Sequence, residues 1–340
     1  MRFFLPASLS AAASLALGFS FGGATPASIS LPAAPSIVRA DGNVVAAAVP
    51  GDRKGRCAEI VLWRVGGKPV AVRTIVECDN DGVGLDAVTE LALAGQTVAW
   101  QETNGGNSLE MSVNTATLTR PKTHEVSYVE NGAGAAEDPA GDWTSWLAGH
   151  GSLLTFDSWT RCDPAGAGYA RACSPGQPDV YGVKLRRIGG GILRQGPDVF
   201  HSVWTDGSSI LIQHEDGSLL LVGSQGLPLR RFAAVSGLLG AVVQGSQLVT
   251  LTPTTLTLWN ARTGARVRSF VLPHATRVLE DLDAGVAVLG SQGTTHLIRL
   301  SDGRGITFTH AAHAQLEPQG LYFTSGRTLR FVPRARVRFG

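Results

Sequence analysis

Four cysteines have the spacing that most directly predicts a covalent bond. Cys57 and Cys78 end the segment CAEIVLWRVGGKPVAVRTIVEC, and Cys162 and Cys173 end the loop CDPAGAGYARAC. An antiparallel hairpin centred on the Gly-Gly pair of the first segment would set its two cysteines nearly opposite one another. We therefore predict two disulfides, Cys57–Cys78 and Cys162–Cys173. Zinc ligation is the alternative, and it lacks close ligand spacing and a neighbouring histidine.

Two further segments contain residues that bind metals in other proteins. His310 and His313 lie in HAAHAQ, and Asp79 to Asp86 form the acidic stretch DNDGVGLD. The acidic stretch has no glutamate at its end to bind calcium with both oxygens, so we expect an ordinary turn, with calcium as the alternative. The histidines have no acidic neighbour, and we expect them on a solvated loop between strands. No metal ligand or cofactor is predicted.

No motif for nucleophilic catalysis occurs in the sequence. A Gly-x-Ser-x-Gly elbow is absent, and the glycine-rich RRIGGG precedes a strand-like segment instead of opening a helix. Phosphate cradles place their glycines at a helix N-terminus. We therefore predict no catalytic and no cofactor-binding residue.

The seven tryptophans fall into two groups, and three of them cluster in one part of the chain: Trp143, Trp146 and Trp159. Trp159 lies beside the second cysteine loop, which contains Tyr169, and the pair is our candidate for a partner-binding loop because aromatic side chains anchor interfaces. The alternative is that these rings cover an insertion that has little core of its own. Four other tryptophans fall within strand-like segments and are expected to pack between sheets: Trp63, Trp100, Trp204 and Trp259.

The N-terminal residues have the layout of an export signal. One arginine precedes an apolar run, and small residues follow around Ala24 and Ala27. This predicts a secretory signal peptide over residues 1–27 and a single mature domain over residues 28–340. The alternative is an uncleaved membrane anchor. With the four cysteines, the leader predicts an extracytoplasmic location, and no later run is long enough to cross a bilayer.

Composition restricts the class of partner. The formal net charge is only +2, which gives no electrostatic case for binding nucleic acid or an anionic membrane. The 42 glycines and the few charged residues suit short strands and tight turns better than long surface helices. We expect an all-β chain.

Short alternating segments recur along the chain at intervals typical of a repeat. One example is LTLWNARTGARVRSFVL, in which two alternating runs flank Arg-Thr-Gly. Six groups of four such segments begin at these positions: Ser36, Thr89, Thr144, Asp198, Gly237 and Leu279. A seventh group, from Ala314, has only three segments. The spacing matches the four-stranded blades of a β-propeller.

The missing strand of the seventh group has a candidate near the N-terminus. The segment ASISLPA, starting at Ala27, could pair with the C-terminal strands and close the ring, which removes an unpaired sheet edge. We therefore predict one β-propeller of seven four-stranded blades, closed by N-terminal and C-terminal strands. Six blades is the alternative, if the terminal strands share one blade.

The residues around Asn260 resemble known propeller repeats. LTLWNARTG resembles the end of a WD-repeat strand, and NARTGARVRSF is similar to the turn of pyrroloquinoline-quinone-type repeats. Asn260 replaces the usual aspartate, and Arg268 stands where the quinoprotein repeat has tryptophan. As a whole the chain resembles the divergent propellers of exported bacterial proteins, including the TolB type. This resemblance implies the fold and names no specific family.

Two functions follow as hypotheses. The first is a non-catalytic binding or scaffold module, monomeric, that holds a protein, peptide or glycan on one face of the ring. The alternative is an enzyme with its active site at the central channel, acting on a carbohydrate or using a quinone. Acids and histidines converging from several blades would favour the enzyme. An exposed Trp159 and Tyr169 beside an apolar channel would favour the binding module.

Overall fold

The computed structural model describes residues 27–51, 57–76, 87–105, 109–131, 141–163, 172–196, 200–272 and 277–339. Within these residues the strands form seven antiparallel sheets of four strands each. The innermost strands of successive sheets contact one another in sequence order, and those of the first and seventh sheets also meet. The chain is therefore a closed, seven-bladed β-propeller, as the spacing of the repeats predicted.

The first strand, β1, covers Ala27–Ser30, and the first four complete blades follow it. Blade 1 contains β2 (Ile37–Asp41), β3 (Val44–Pro50), β4 (Ala58–Arg64) and β5 (Val70–Ile75). Blade 2 contains β6 (Ala87–Ala94), β7 (Thr97–Gly105), β8 (Leu109–Thr117) and β9 (Arg120–Asn131). Blade 3 contains β10 (Gly141–His150), β11 (Leu153–Arg161), β12 (Val180–Arg187) and β13 (Ile192–Gly196). Blade 4 contains β14 (Phe200–Thr205), β15 (Ser209–His214), β16 (Leu219–Gly223) and β17 (Pro228–Phe232).

The remaining strands complete the ring. Blade 5 contains β18 (Gly240–Gln244), β19 (Gln247–Leu251), β20 (Thr255–Asn260) and β21 (Arg266–Val271). Blade 6 contains β22 (Val278–Asp283), β23 (Val286–Ser291), β24 (Thr294–Arg299) and β25 (Gly305–Thr309). Blade 7 contains β26 (Ala312–Glu317), β27 (Gly320–Ser325) and β28 (Thr328–Pro333), and a single 3₁₀ turn follows at Arg334–Arg336.

Blade 7 is completed by the N-terminal strand. β1 pairs antiparallel with β28, and the register runs from Ala27 opposite Phe331 to Ser30 opposite Thr328. Leu31 continues the pairing by donating its N–H to the carbonyl of Arg327. The prediction that ASISLPA closes the ring is therefore confirmed, and the six-blade alternative is wrong.

Burial changes with a strand's position in its blade. Strand β3, second from the channel, has six consecutive buried residues because a neighbouring blade covers each of its faces. Its sequence, VVAAAVP, supplies small side chains that let the blades approach closely. The outermost strand β21 is exposed at nearly every position. The core is therefore a ring of apolar layers between adjacent blades.

The tryptophans predicted to pack between blades do so. Trp63 shares a buried cluster with Tyr322 and Phe331, which joins blade 1 to blade 7. Trp100 is fully buried between blades 1 and 2. The other two, Trp204 and Trp259, pack against the cluster between blades 4 and 5. Burying such large rings contributes several kcal/mol to each interface.

The two faces of the ring differ in the turns they carry. The connections from one blade to the next lie on the face that we call the connecting face. The turns between first and second strands, and between third and fourth strands, lie on the opposite face, which we call the hairpin face. Ala261 and Ser246 come from one turn of each kind, and the N–H of Ala261 donates to the carbonyl of Ser246 there.

In the described part of the chain, no helix has the length and apolar character needed to cross a membrane.

Candidate functional site

The channel between the seven innermost strands opens into a cavity at the connecting face. This cavity, which we call the channel mouth, has a volume of about 560 Å³. Every blade contributes to its lining, which mixes polar, charged and apolar side chains. A cavity at the axis of a propeller is a usual place for a ligand, because many blades converge there.

The mouth contains a carboxylate that is bound to an irregular backbone. Strand β10 has a β-bulge between Ser145 and Ala148, and within it Trp146 adopts a positive φ of 51°. The bulge turns two N–H groups toward the preceding blade. Glu90 of β6 accepts one hydrogen bond from each, with 2.9 Å between its Oε1 and the nitrogen of Trp146, and the second from Leu147. Glu90 therefore accepts hydrogen bonds from two N–H groups that the bulge takes out of the strand ladder.

The same arrangement recurs between blades 6 and 7. Strand β26 has a bulge between Ala312 and Gln315, and His313 has a positive φ of 50°. Glu280 of β22 accepts a hydrogen bond of 2.9 Å from the N–H of Ala314. Both glutamates therefore join one blade to the next through the backbone of a bulge.

One arginine lies among the carboxylates. Burial lowers the pKa of Arg39, and the nearby Glu90, Asp281 and Glu280 act in the opposite direction. Burial raises the pKa of Glu90 and of Glu280, while the backbone N–H groups and Arg39 offset part of that shift. Asp281, deeper in the channel, has a pKa raised to about 7 by burial. One arginine thus lies near three carboxylates, and backbone hydrogen bonds hold Glu90 and Glu280 in place.

Aromatic and imidazole rings occupy the wall of the mouth. Trp146 lies 6.0 Å from His201, between ring centroids, and donates its indole N–H to the carbonyl of Phe200. Burial, followed by the charge of Arg39, lowers the pKa of His313, so this imidazole is neutral at pH 7. The rings of Trp146 and His313 therefore offer flat, uncharged surface to an occupant.

The rim of the mouth is apolar on one side. Leu239 immediately precedes β18 and Val278 is the first residue of β22; they are 52% and 61% exposed. Their strands are neighbours, and a Cβ at Gly240 would lie 3.6 Å from the Cβ of Leu279. The two side chains, which we call the rim patch, expose apolar area beside a cavity of mixed polar and apolar lining.

The opposite end of the channel holds a denser set of carboxylates. Asp41 accepts hydrogen bonds of 2.6 Å from the N–H groups of Gly95 and Gly151, and Glu317 accepts one of 3.1 Å from Gly42. These bonds join the turns of blades 1, 2, 3 and 7. The pKa of Glu317 is raised to about 9 by burial and by neighbouring carboxylates, Asp281 foremost.

This end also contains the described residues that could hold a metal ion. Ligand atoms of Asp41, His150 and Glu317 lie within 4.8 Å of one another. The distance from the Nδ1 of His150 to the nearest carboxylate oxygen of Asp41 is 3.8 Å. Two carboxylates and an imidazole suit several divalent cations.

The predicted disulfide of the second loop is present. Cys162 and Cys173 are bonded, with 5.0 Å between their Cα atoms. Cys57 lies just before β4 and donates its N–H to the carbonyl of Ile75, which places it at the open end of the β4–β5 hairpin. Cys78 lies outside the described residues, so the pairing Cys57–Cys78 stays a prediction. The stretch Asp79 to Asp86 also lies outside them.

The candidate partner-binding loop is described only in part. Trp159 stacks on Trp143, with 5.3 Å between ring centroids and 8° between ring planes, and is partly buried. Its indole N–H is 3.3 Å from the hydroxyl of Ser145. Tyr169 lies outside the described residues. A role for this loop in partner binding stays a prediction.

The expectation for the two histidines needs correction. His310 is exposed in the connection before β26, as expected. His313, however, lies within β26 and lines the channel mouth, because the bulge rotates its side chain toward the axis. The inner strand of blade 7 begins earlier than its alternating pattern indicated.

Sequence reasoning missed the carboxylates of the channel. Glu90 and Glu280 stand early in the innermost strands of their blades, Glu90 in TELALAG and Glu280 in LEDLDAG, which also contains Asp281 and Asp283. An acid early in an innermost strand is the signal that could have identified them. Arg39 stands in the corresponding strand of blade 1.

Comparison with known proteins supports the fold and goes no further. No protein-family model and no curated protein matches the chain. A propeller chain from the crystal structure of the mitotic checkpoint complex is 14% identical, with a TM-score of 0.52 and 98% of both chains covered. The computationally designed Ika8 protein is 12% identical, with a TM-score of 0.51, covering 89% of this chain and 98% of that chain. At such identities the likeness concerns architecture.

Proposed function

We propose that this protein is a non-catalytic binding module that holds a segment of a partner protein in the channel mouth. The observation that carries the proposal is the combination of a cavity open to solvent with the exposed rim patch of Leu239 and Val278. A partner would cover the apolar rim and place a polar group in the cavity, which removes exposed apolar area from water.

The state of the glutamates supports binding over catalysis. A general base needs a carboxylate free to take a proton from a substrate. Both oxygens of Glu90 accept hydrogen bonds from backbone N–H groups, and Glu280 is bound to the bulge of blade 7 in the same way. These groups stabilise the contacts between blades, so they are poorly placed to cycle through protonation states.

The proposed setting is extracytoplasmic. The Cys162–Cys173 disulfide supports it, because such bonds persist in oxidising compartments. The matched chain from the mitotic checkpoint complex belongs to a multiprotein assembly, and a protein partner agrees with that use of the fold. A monomer that recruits one partner through the mouth is the arrangement we propose.

The test uses a variant that charges the rim patch. We expect Leu239→Asp with Val278→Asp to abolish capture of a specific partner from envelope and secreted fractions of the source cells. The matched control is Ile192→Asp, which adds a charge at a residue that is 49% exposed in blade 3. Melting temperatures within about 2 °C of wild type would show that both variants fold. Equal capture by wild type and the rim variant would overturn the proposal.

One observation favours the enzyme alternative. Acids and histidines from four blades line the same cavity: Glu90, His201, Glu280 and His313. Turnover of a small molecule that is lost in His313→Ala but kept in the rim variant would identify the mouth as an active site. Screening carbohydrates and quinone-dependent reactions with this pair of variants separates the two functions.

A further inference from the structure

Blades 4 and 5 contain a long run of sequence without acidic residues. Between Asp216 and Glu280 the chain has six arginines and no aspartate, glutamate or lysine. Because the whole chain has a formal charge of +2, the remainder carries −4. The ring is therefore electrically asymmetric, and the near-neutral total conceals a positive sector.

The turn between β20 and β21 fixes two of these arginines on the hairpin face. The side-chain oxygen of Asn260 accepts hydrogen bonds from the N–H groups of Arg262 and Thr263, at 3.0 and 2.9 Å. Gly264 follows with a φ of +75°, a conformation that favours glycine, and the turn returns directly into Arg266. Arg262 and Arg266 are both exposed.

A third arginine reaches this turn from the neighbouring blade. A Cβ at Gly264 would lie 3.3 Å from both the Cδ and the Nη1 of Arg230, so the Arg230 side chain packs over the turn. Within the described residues, none of Arg230, Arg262 and Arg266 forms an ion pair. We call these three residues the arginine cluster. Three exposed and unpaired guanidinium groups in one place attract anionic groups.

Apolar surface adjoins the arginine cluster. Val267 is 60% exposed and lines a groove of about 560 Å³ between blades 5 and 6, together with Leu258 and Leu300. Arg268 also lines the groove, with its guanidinium directed to the carbonyl of Ser301. An occupant therefore meets positive charge and apolar surface side by side.

We infer that the arginine cluster and the adjoining groove form a second interaction surface, which binds an acidic protein segment that also carries apolar residues. The charge of the sector and the exposed Val267 in the groove select this chemistry together. The surface lies on the hairpin face, opposite the channel mouth, so the inference is independent of the proposed function.

A protein segment fits this surface better than a nucleic acid does. Single-stranded nucleic acid is bound through aromatic rings on which bases stack. Among the described residues of blades 4 and 5, no large aromatic side chain is exposed, and Phe270 lies beneath Arg268 at 6.0 Å. Val267, exposed between Arg266 and Arg268, is aliphatic, as contact with a leucine or valine of a peptide requires.

The experiment measures binding of defined probes to the chain that begins at Ala27, by fluorescence anisotropy at about 50 mM and about 300 mM salt. The main probe is a labelled twelve-residue peptide of glutamate, leucine and serine. A second peptide has lysine in place of glutamate, a third has serine in place of leucine, and a single-stranded oligonucleotide of twelve nucleotides is the fourth probe.

The decisive variant replaces Arg230, Arg262 and Arg266 with serine. Because each exposed guanidinium contributes about a twofold to threefold gain in affinity, we expect the main probe to bind about tenfold more weakly. The matched control replaces Arg327, Arg330 and Arg336 with serine, which removes the same charge from exposed positions of blade 7. The control should change affinity less than about twofold.

A second variant tests the apolar part of the surface. Val267→Ser should weaken binding of the main probe and leave the leucine-free peptide unaffected. Binding of the lysine peptide as tight as that of the main probe would overturn the inference. So would equal losses in the cluster variant and the blade 7 control, or tighter binding of the oligonucleotide than of the main probe.

Discussion

At the scale of single residues, the channel is organised by carboxylates that bind backbone. Glu90 and Glu280 each reach across a blade interface to N–H groups that a β-bulge has removed from its own ladder. The bulges place Trp146 and His313 at positive φ, which is strained for side chains of this size. We interpret the hydrogen bonds to the two glutamates as the interactions that stabilise this strained backbone.

Replacement of Glu90 by alanine tests this role. The change leaves two partly buried N–H groups without an acceptor and removes one of the three carboxylates near Arg39, so we expect a loss of roughly 2–4 kcal/mol in the free energy of unfolding. Urea denaturation measures the loss. Glu125→Ala, at an exposed position of β9, serves as the control and should stay within about 0.5 kcal/mol of wild type. A similarly small effect of Glu90→Ala would contradict the role.

Glu317 predicts a dependence of stability on pH. Its pKa is raised from 4.5 to about 9, chiefly by burial, so the folded state holds the proton more tightly than the unfolded chain does. Stability linked to this group is therefore greatest below pH 4.5 and falls as the pH rises toward 9. Glutamine at position 317 cannot ionise, so the variant does not lose stability in this way as the pH rises.

We therefore expect Glu317→Gln to raise the melting temperature relative to wild type by at least about 2 °C more at pH 8.5 than at pH 5. Calorimetry at the two pH values measures the difference. Glu125→Gln should show no such dependence, because that side chain is exposed. A difference that is the same at both pH values would show that Glu317 is ionised in the folded chain.

Sequence reasoning reached some of these residues and missed others for a physical reason. Trp63 and Trp100 were predictable, since a large ring in an alternating segment is stabilised by burial. The contacts of Glu90 depend on a bulge in the next blade, and period-two alternation carries no signal for a bulge. His313 was misplaced for the same reason.

At the scale of elements, the strands were predictable because each is short, alternating and bounded by turn residues. The segment NVVAAAVP, for example, became β3 nearly residue for residue. The pairing of β1 with β28 was predictable from the absence of a fourth strand in the last repeat, since a closed propeller leaves no long edge unpaired.

Strand β1 should act as the closure of the ring. We expect a chain that begins at Ser36, without β1 and the buried Leu31, to melt at least about 5 °C below a chain that begins at Ala27. A synthetic peptide of residues 27–35 should restore the difference when it is added in excess, whereas a scrambled peptide should not. Identical melting temperatures of the two chains would contradict closure by β1.

At the scale of the whole molecule, net charge was misleading. A net charge of +2 gave no reason to expect a charged surface. Six arginines nevertheless fall in one run without acids, and that run folds into neighbouring blades. The run itself was visible in the sequence. The sequence did not show that Arg230 lies beside Arg262 and Arg266, because that placement depends on the packing of Arg230 over the turn at Gly264.

The molecule thus presents different chemistry on its two faces. The connecting face has a cavity with the exposed rim patch beside it, and the hairpin face has the arginine cluster beside a groove that contains the exposed Val267. A ring with two unlike faces can hold two partners without competition between them. This is the arrangement expected of a scaffold, and it follows from the placement of side chains on a fold that itself serves many functions.

Site-specific photocrosslinking at the rim patch tests the central claim most directly. Benzoylphenylalanine in place of Leu239 should give a crosslink to one partner protein, and mass spectrometry should place that crosslink within a single segment of it. The same group in place of Ile192, exposed in blade 3, should give none. Crosslinking at residue 239 no stronger than at residue 192 would contradict the claim that the channel mouth binds a partner.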